Sequence, residues 1–161
     1  MFFSTSNSVA ASGVDMLKED HKKVKGLFSE YENADSGSKS DIAKTTIQEL
    51  EIHADLEERL IYPAIREAID KDGLISEAIE EHHLVHLLIA ELKELKPCDE
   101  RFQAKFTVLG ELVKHHIGEE EGEMLPKAEK SNIDWEKLTA QMTKRREQLL
   151  CLYWRSSWLT R

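Results

Sequence analysis

Glycine and cysteine are scarce in this sequence, with 7 Gly and 2 Cys among 161 residues. Tight β-hairpin turns rely on glycine at positions of positive φ, so the composition disfavours a fold built from hairpins. The two cysteines, Cys98 and Cys151, have no metal-binding spacing and make a poor disulfide framework. A reducing, cytoplasmic environment is therefore the simplest expectation.

A recognisable targeting segment and an excess of positively charged residues are also lacking. The first fifteen residues, MFFSTSNSVAASGVD, have neither the basic start nor the apolar run of a signal peptide, and no later stretch is long enough to span a bilayer. Lys and Arg total 22 against 31 Asp and Glu, a net charge of −9. This excess disfavours nucleic acid and anionic membranes as partners and favours cations. We expect a monomer or small homo-oligomer.

Helical periodicity, by contrast, runs through most of the chain, and its length suits one domain. The predicted helices run from an Asp15 cap to Asn33, from Ser40 or Asp41 to the DKDG stretch at 70–73, from Leu74 to Lys96, and from about 100 past Glu120. The short connections predict an all-α, up-down-up-down four-helix bundle over 14–130. Residues 1–13 are predicted to be a flexible tail, and 131–161 a short helix, capped by Asp134, with an aromatic tail. That tail either packs along the bundle or frays, or else it is a basic-aromatic segment that docks on a partner or touches a membrane.

Two pairs of segments repeat. HADLEERLIYP at 53–63 and HIGEEEGEMLP at 116–126 share the pattern H-x-x-x-E-E-x-x-x-x-P. EDHKKVKGLFSEY at 19–31 aligns without gaps to EEHHLVHLLIAEL at 80–92. The first helix pair therefore repeats as the second, and two such pairs can pack about an approximate twofold axis. The two motifs are then predicted to be halves of one site.

Histidines occupy positions on the inward helix faces where a core normally has leucine. Five of the seven do so: His21, His53, His82, His86 and His116. Glu57 and Glu120 each follow a histidine by four residues, which places them on the same helix face. Burying these polar groups without partners would cost a few kcal/mol each, whereas a metal would satisfy all of them. The sequence therefore predicts a metal site.

The remaining polar residues of the motifs receive weaker roles. His83 and His115 lie one residue off the inward faces and are predicted to be solvated or to contact the ligands from outside, although an alternative pairs His115 with Glu120. Glu58 and Glu121 are predicted to be surface charges or partners of groups around the ligands. Pro63 and Pro126 should kink or end their helices.

The kind and number of the ligands indicate the metal. Imidazole and carboxylate without thiolate suit iron, manganese or zinc. Two carboxylates among five imidazoles suggest that Glu57 and Glu120 bridge two ions. Two octahedral ions need about twelve positions, of which histidines supply five, bridging carboxylates four and a bridging oxide or hydroxide two. One position stays open.

Together, EDH, HADLEERLIYP, EEHHLVH and HHIGEEEGEMLP resemble hemerythrin and the hemerythrin-like HHE cation-binding domain family over about residues 14–130. The resemblance implies two non-haem iron ions with a bridging oxide or hydroxide. It implies that His82, His86 and His116 bind one iron, His21 and His53 the other, and that Glu57 and Glu120 bridge. The oxygen carriers of the family have an aspartate five residues after the last histidine. Glu120, four residues after His116, indicates the bacterial branch instead.

The function predicted from this resemblance is reversible dioxygen binding, for carriage, storage or sensing, rather than catalysis. The alternatives are redox chemistry on nitric oxide or peroxide, iron donation in stress repair, and iron storage. His86 aligns with Lys25, the one position of the site at which the two halves differ. That difference predicts the open position on the His21/His53 iron.

Overall fold

The computed structural model describes residues 12–69 and 73–159, with side chains as far as 155. Every regular element in these ranges is helical, which confirms the all-α bundle with a C-terminal helical extension. The α-helices are α1 Gly13–Asn33, α2 Ser36–Leu56, α3 Tyr62–Ala68, α4 Leu74–Lys93, α5 Glu100–Glu119, α6 Leu125–Glu129 and α7 Trp135–Leu159. Helix α1 pairs with α2, and α4 pairs with α5. The predicted N-terminal tail lies outside the described residues up to residue 11.

Two predicted helix starts were wrong. Ser12, not Asp15, is the N-cap of α1: the Ser12 hydroxyl accepts from the Asp15 backbone N–H, and the Asp15 carboxylate accepts from the Ser12 N–H. Helix α2 begins at Ser36 because Asp35 caps it, accepting from the backbone N–H of Ser38 at 2.9 Å. The polar, glycine-containing first turn of α2 faces solvent and carries no apolar pattern, so apolar periodicity cannot detect it.

The prolines of the two motifs do not end their helices. A π-helical turn, Glu57–Ile61, joins α2 to α3, and a second, Glu120–Met124, joins α5 to α6. Each turn lies directly before the helix segment that has its proline in the first turn. Proline cannot donate the backbone hydrogen bond that an α-helix needs there, and the extra residue of a π-turn takes up that defect. Both copies of the motif therefore have the same local backbone.

The core has two parts, one on each side of the histidine level. The first is aromatic, with the ring of Phe106 centred 5.1 Å from Phe28 and 4.3 Å from Tyr31. The second contains both π-helical segments and part of α7. The histidines lie between these two apolar clusters, where water is largely excluded.

Helix α7 is longer than predicted and packs along the bundle. In the predicted aromatic tail, Leu152 and Trp154 are exposed, and the side chains from 156 on lie outside the described residues, so the role of the tail stays a prediction. Asp134 caps it, accepting from the backbone N–H of Lys137 at 3.0 Å. Leu138 and Met142 are buried in the second core, and the Tyr153 hydroxyl donates to Glu51 at 2.7 Å. Within the described ranges, no helix is both long and apolar enough to cross a membrane.

Candidate metal centre

Four buried histidines from four helices meet between the two cores. His21, His53, His82 and His116 are at most 8% exposed. The Nε2 atoms of His21 and His53 lie 3.1 Å apart, and those of His82 and His116 also lie 3.1 Å apart. The structure thus brings together four of the five predicted histidine ligands, as two pairs.

The two predicted bridging carboxylates lie between these pairs. Glu57 and Glu120 begin the two π-helical turns and are at most 1% exposed. Glu57 Oε1 lies 3.0 Å from Nε2 of His53, and its Oε2 lies 3.2 Å from Nε2 of His82. Glu120 makes the equivalent contacts, at 3.2 and 3.4 Å, with the other two histidines. Each carboxylate therefore contacts one histidine of each pair.

The outward-facing nitrogen of every histidine in the group is bonded to a further carboxylate. The Nδ1 pairs are His21 with Glu121 at 2.8 Å, His53 with Asp20 at 3.1 Å, His82 with Glu58 at 2.8 Å and His116 with Glu81 at 2.5 Å. Since a carboxylate accepts, Nδ1 carries a proton and Nε2 faces inward, where a neutral ring can offer its lone pair to a metal. Glu58 and Glu121 are thus partners of the inward histidines themselves. Each holds a histidine of the other repeat, as a twofold axis requires.

When the histidines are neutral, two buried carboxylate oxygens at the centre of the donor set lack a positively charged partner. Glu57 Oε1 and Glu120 Oε2 are buried, and each faces an imidazole Nε2, of His53 at 3.0 Å and of His21 at 3.2 Å, which can donate only when its ring is protonated there; with neutral rings the two oxygens have no hydrogen-bond partner among the described residues. An unpaired buried carboxylate oxygen is costly. Imidazole nitrogens and carboxylate oxygens without sulfur are ligands that iron, manganese and zinc accept. The residues therefore fit a metal centre.

Protons take the place of a cation in the metal-free site. Burial opposes the protonation of His53, but the charge of Glu57 and the hydrogen bond to Asp20 outweigh it and raise the pKa of His53 to about 10. Burial likewise opposes the protonation of His116, and the Glu120 carboxylate raises its pKa to about 9. Burial would raise the pKa of Glu57, yet the facing histidines hold it well below its ordinary value. Glu57 therefore keeps its negative charge in the buried, metal-free centre.

Comparison with known proteins agrees with this donor set. The family model of the hemerythrin HHE cation-binding domain matches residues 12–128. The chain belongs to this family. A crystal structure of an HHE cation-binding domain-containing protein from Mycobacterium kansasii superposes with a TM-score of 0.69 at 25% identity, over 85% of this chain and 88% of that one. The family predicted from the four motifs is confirmed.

A curated relative is much longer than this HHE chain. It is named a DNA nickase, comes from Nostoc sp. strain PCC 7120, and is 27% identical over 108 residues. These residues are 66% of this chain and 30% of the relative. The chain therefore spans less than a third of that protein's length.

Tyr62 is a member of the HHE centre that sequence reasoning missed. Its hydroxyl lies 2.7 Å from Glu120 Oε1, 3.0 Å from Nε2 of His82 and 3.2 Å from Nε2 of His116. The residue itself is 1% exposed. Its counterpart in the second motif is Leu125, so the hydroxyl is present in one half only. Comparing the residues just before the two prolines would have revealed this difference.

His86 is the one predicted ligand that the structure does not bring to the centre. Its side chain is 45% exposed and its Nε2 lies 2.6 Å from Glu58 Oε1, on the outer side of His82. Val85, which is 7% exposed, occupies the inward position instead. His86 is therefore placed like its counterpart Lys25, which is also exposed.

The two histidines that were predicted to be peripheral are exposed. His83 lies on the outer face of α4. The ring of His115 is 65% exposed and lies 3.2 Å from Glu119 and 3.6 Å from Glu81. The structure pairs His116, not His115, with Glu120.

A cavity of about 30 Å³ borders all four histidines on the side of the aromatic core. Its other lining residues are Asp20, Ala54 and five apolar side chains, Val24, Leu50, Val85, Val113 and Ile117. Neither bridging-position carboxylate lines it, and neither does Tyr62. One water needs about 10–15 Å³ of such volume, so the cavity has room for a molecule of two heavy atoms.

Proposed function

We propose that this HHE protein holds two iron ions, one at each histidine pair, with Glu57, Glu120 and an oxide or hydroxide as bridges. The observation that carries the proposal is that each carboxylate contacts one histidine from each pair. A single ion would use only one side of each carboxylate. The unpartnered oxygens of Glu57 and Glu120 give further support.

Tyr62 takes the place in the ligand count that the sequence analysis assigned to His86. The ion at His82 and His116 would have two imidazoles, two carboxylate oxygens, the bridging oxygen and the Tyr62 phenolate, about the six ligands of an octahedron. The ion at His21 and His53 would have five. The open position predicted on this second ion is therefore retained, and the cavity that borders all four histidines offers space for a small molecule beside it.

The proposed activity is redox turnover of hydrogen peroxide. The iron pair would supply two electrons and take them back, so that two peroxide molecules give two waters and one dioxygen without an external reductant. In the metal-free site, burial and the charges of Glu57 and Glu120 raise the pKa of Tyr62 well above its ordinary value, so the hydroxyl keeps its proton. A ferric ion at His82 and His116 would have to displace that proton, and the resulting phenolate, an anionic oxygen ligand, would stabilise ferric over ferrous iron. An oxygen carrier must rest in the ferrous state, so this ligand favours turnover over carriage. The cavity of about 30 Å³ has room for a substrate of two heavy atoms, such as peroxide.

Reversible dioxygen binding is the second candidate, and the four neutral imidazoles and the apolar cavity lining favour it. Nitric oxide has the same size and would enter the same space. This candidate requires that Tyr62 remains a protonated hydrogen-bond donor to Glu120 rather than a ligand. The Tyr62–Glu120 contact of 2.7 Å is compatible with that state.

Two measurements test these proposals. Iron analysis of the purified protein should give two irons per chain, and a content of one or none would contradict the di-iron centre. The loaded protein should release dioxygen from peroxide at an electrode. Reversible oxygen binding is then tested by reducing the protein without oxygen, admitting oxygen and removing it again while the visible spectrum is recorded. A spectrum that returns on removing oxygen, with no peroxide consumption, would refute the peroxide proposal.

The proposal also covers the location and the partners of the protein. We infer a cytoplasmic protein, which the exposed, unpaired Cys98 and Cys151 suit. DNA nicking is not included, because the match covers 30% of the relative so named and a net charge of −9 disfavours a phosphate backbone as ligand.

A further inference from the structure

The carboxylates that hold the histidines from outside differ between the two halves. Asp20 and Glu81 occupy equivalent positions in the repeat, and they hold His53 and His116 respectively. Asp20 also receives a two-point contact from Arg146, with Nη1 at 2.8 Å from Oδ1 and Nη2 at 2.5 Å from Oδ2. An arginine keeps its positive charge at every relevant pH. Asp20 is therefore neutralised by a permanent cation.

Glu81 has no equivalent cation among the residues that the structure describes. Its other partner is the exposed ring of His115, 3.6 Å away. Glu58 is likewise shared with an exposed imidazole, that of His86. For Glu121 the described contacts show only the bond to His21. Of the four outer carboxylates, Asp20 is thus the one bonded to an arginine in the described part of the chain.

The cation comes from α7, which follows the part of the chain that the family model matches. Residues 12–128 carry every histidine and carboxylate of the centre, whereas Arg146 lies beyond them. The neighbouring Arg145 makes a similar two-point contact with Asp55, at 2.7 and 2.9 Å. Asp55 holds no histidine of the centre. The two arginines therefore dock the same helix, but only one of them reaches the metal site through a carboxylate.

The charge on an outer carboxylate changes the metal through the histidine that it holds. A carboxylate that accepts from Nδ1 makes the imidazole a stronger electron donor, which stabilises the ferric state. Pairing that carboxylate with a guanidinium weakens the effect. We propose that Arg146 is a positioning residue of the metal centre, which neutralises Asp20 and so makes the ion at His21 and His53 the more easily reduced of the two. This inference rests on the proposed di-iron centre.

The test is a reductive titration of the iron-loaded, full-length protein at pH 8. Dithionite supplies one electron to each ferric ion, and the mixed-valence state between the two steps is followed by electron paramagnetic resonance. Wild type should show two resolved steps. In Arg146→Met the first step should become at least tenfold less favourable, which is a shift of about 59 mV for one electron. Arg145→Met, which removes the matched contact with Asp55, should leave both steps in place.

A double variant separates charge from simple loosening of α7. Asp20→Asn with Arg146→Met removes both charges and keeps an acceptor for His53, so the first step should return towards its wild-type potential. Arg146→Lys, which keeps the charge, should also remain close to wild type. Equal shifts in Arg145→Met and Arg146→Met, or no recovery in the double variant, would overturn the inference. Two irons per chain with coincident steps in wild type would overturn it too, while leaving the di-iron centre intact.

Discussion

Replacing Tyr62 by phenylalanine removes one hydroxyl from the middle of the centre and leaves the ring. The hydroxyl has a single proton, and Glu120 Oε1, at 2.7 Å, is its best acceptor. A buried hydrogen bond to a charged acceptor contributes about 1.5–3 kcal/mol, and no water can replace it at a site that is 1% exposed. We therefore expect the metal-free variant to lose about 2 kcal/mol of unfolding free energy in urea.

Tyr153→Phe is the matched control, because that hydroxyl also donates to a glutamate at 2.7 Å but lies in a partly exposed position. It should cost only about 0.5–1.5 kcal/mol. In the iron-loaded protein, Tyr62→Phe should lose the visible phenolate-to-iron charge-transfer band, and Tyr153→Phe should keep it. Equal stability losses in the two variants, together with an unchanged band in Tyr62→Phe, would refute the role given to Tyr62.

Three further outcomes follow from the same geometry. His82→Ala should lose iron, whereas His86→Ala should keep the iron content and spectrum of wild type; iron loss on changing His86 would restore it as a ligand. The pKa values of about 10 for His53 and about 9 for His116 exceed the unfolded value of about 6.5. Protonation of these two histidines should therefore stabilise the metal-free protein fully below about pH 6.5, and this stabilisation should be lost as pH rises through 9 to 10. Thermal melts at a series of pH values can follow the trend. Metal loading should abolish it. Gly110→Ala should cost about 1–3 kcal/mol in urea unfolding, because a Cβ there would lie 3.0 Å from an aromatic ring of α1; an unchanged midpoint would contradict this close packing.

The helices and four of the histidines could be predicted from sequence because both depend on spacing along one helix. The position of His86 could not be predicted in this way. Residues three and four after His82 both lie near its helix face, and in the structure Val85, not His86, is the buried one. Tyr62 follows Glu57 across a π-helical turn, where the 3.6-residue period no longer applies. The periodic argument therefore gave no reason to include Tyr62 in the centre that it enters.

The contact of Arg146 with Asp20 was beyond sequence reasoning for a different reason. It joins residues 126 positions apart, and it exists only because α7 packs against α1 and α2. The apolar residues of α7 predict a helix but not the groove in which it lies. The cap residue Asp35 was missed on a smaller scale, because the polar first turn of α2 carries no apolar pattern.

A duplicated helix pair by itself builds two equal metal positions, so any inequality must come from departures from the repeat. The structure has two that affect charge. Tyr62, opposite Leu125 in the repeat, would add an oxygen ligand to the proposed ion at His82 and His116, whose Nε2 atoms its hydroxyl contacts. Arg146 removes negative charge from the other side. Both differences make the two proposed ions unequal in the same sense. The ion at His82 and His116 is expected to be fully coordinated and ferric, and the ion at His21 and His53 to have an open position and to be easier to reduce. A carrier that must keep both ions ferrous gains nothing from this inequality, whereas stepwise redox chemistry on a small oxidant needs one ion that accepts the substrate and one that holds charge.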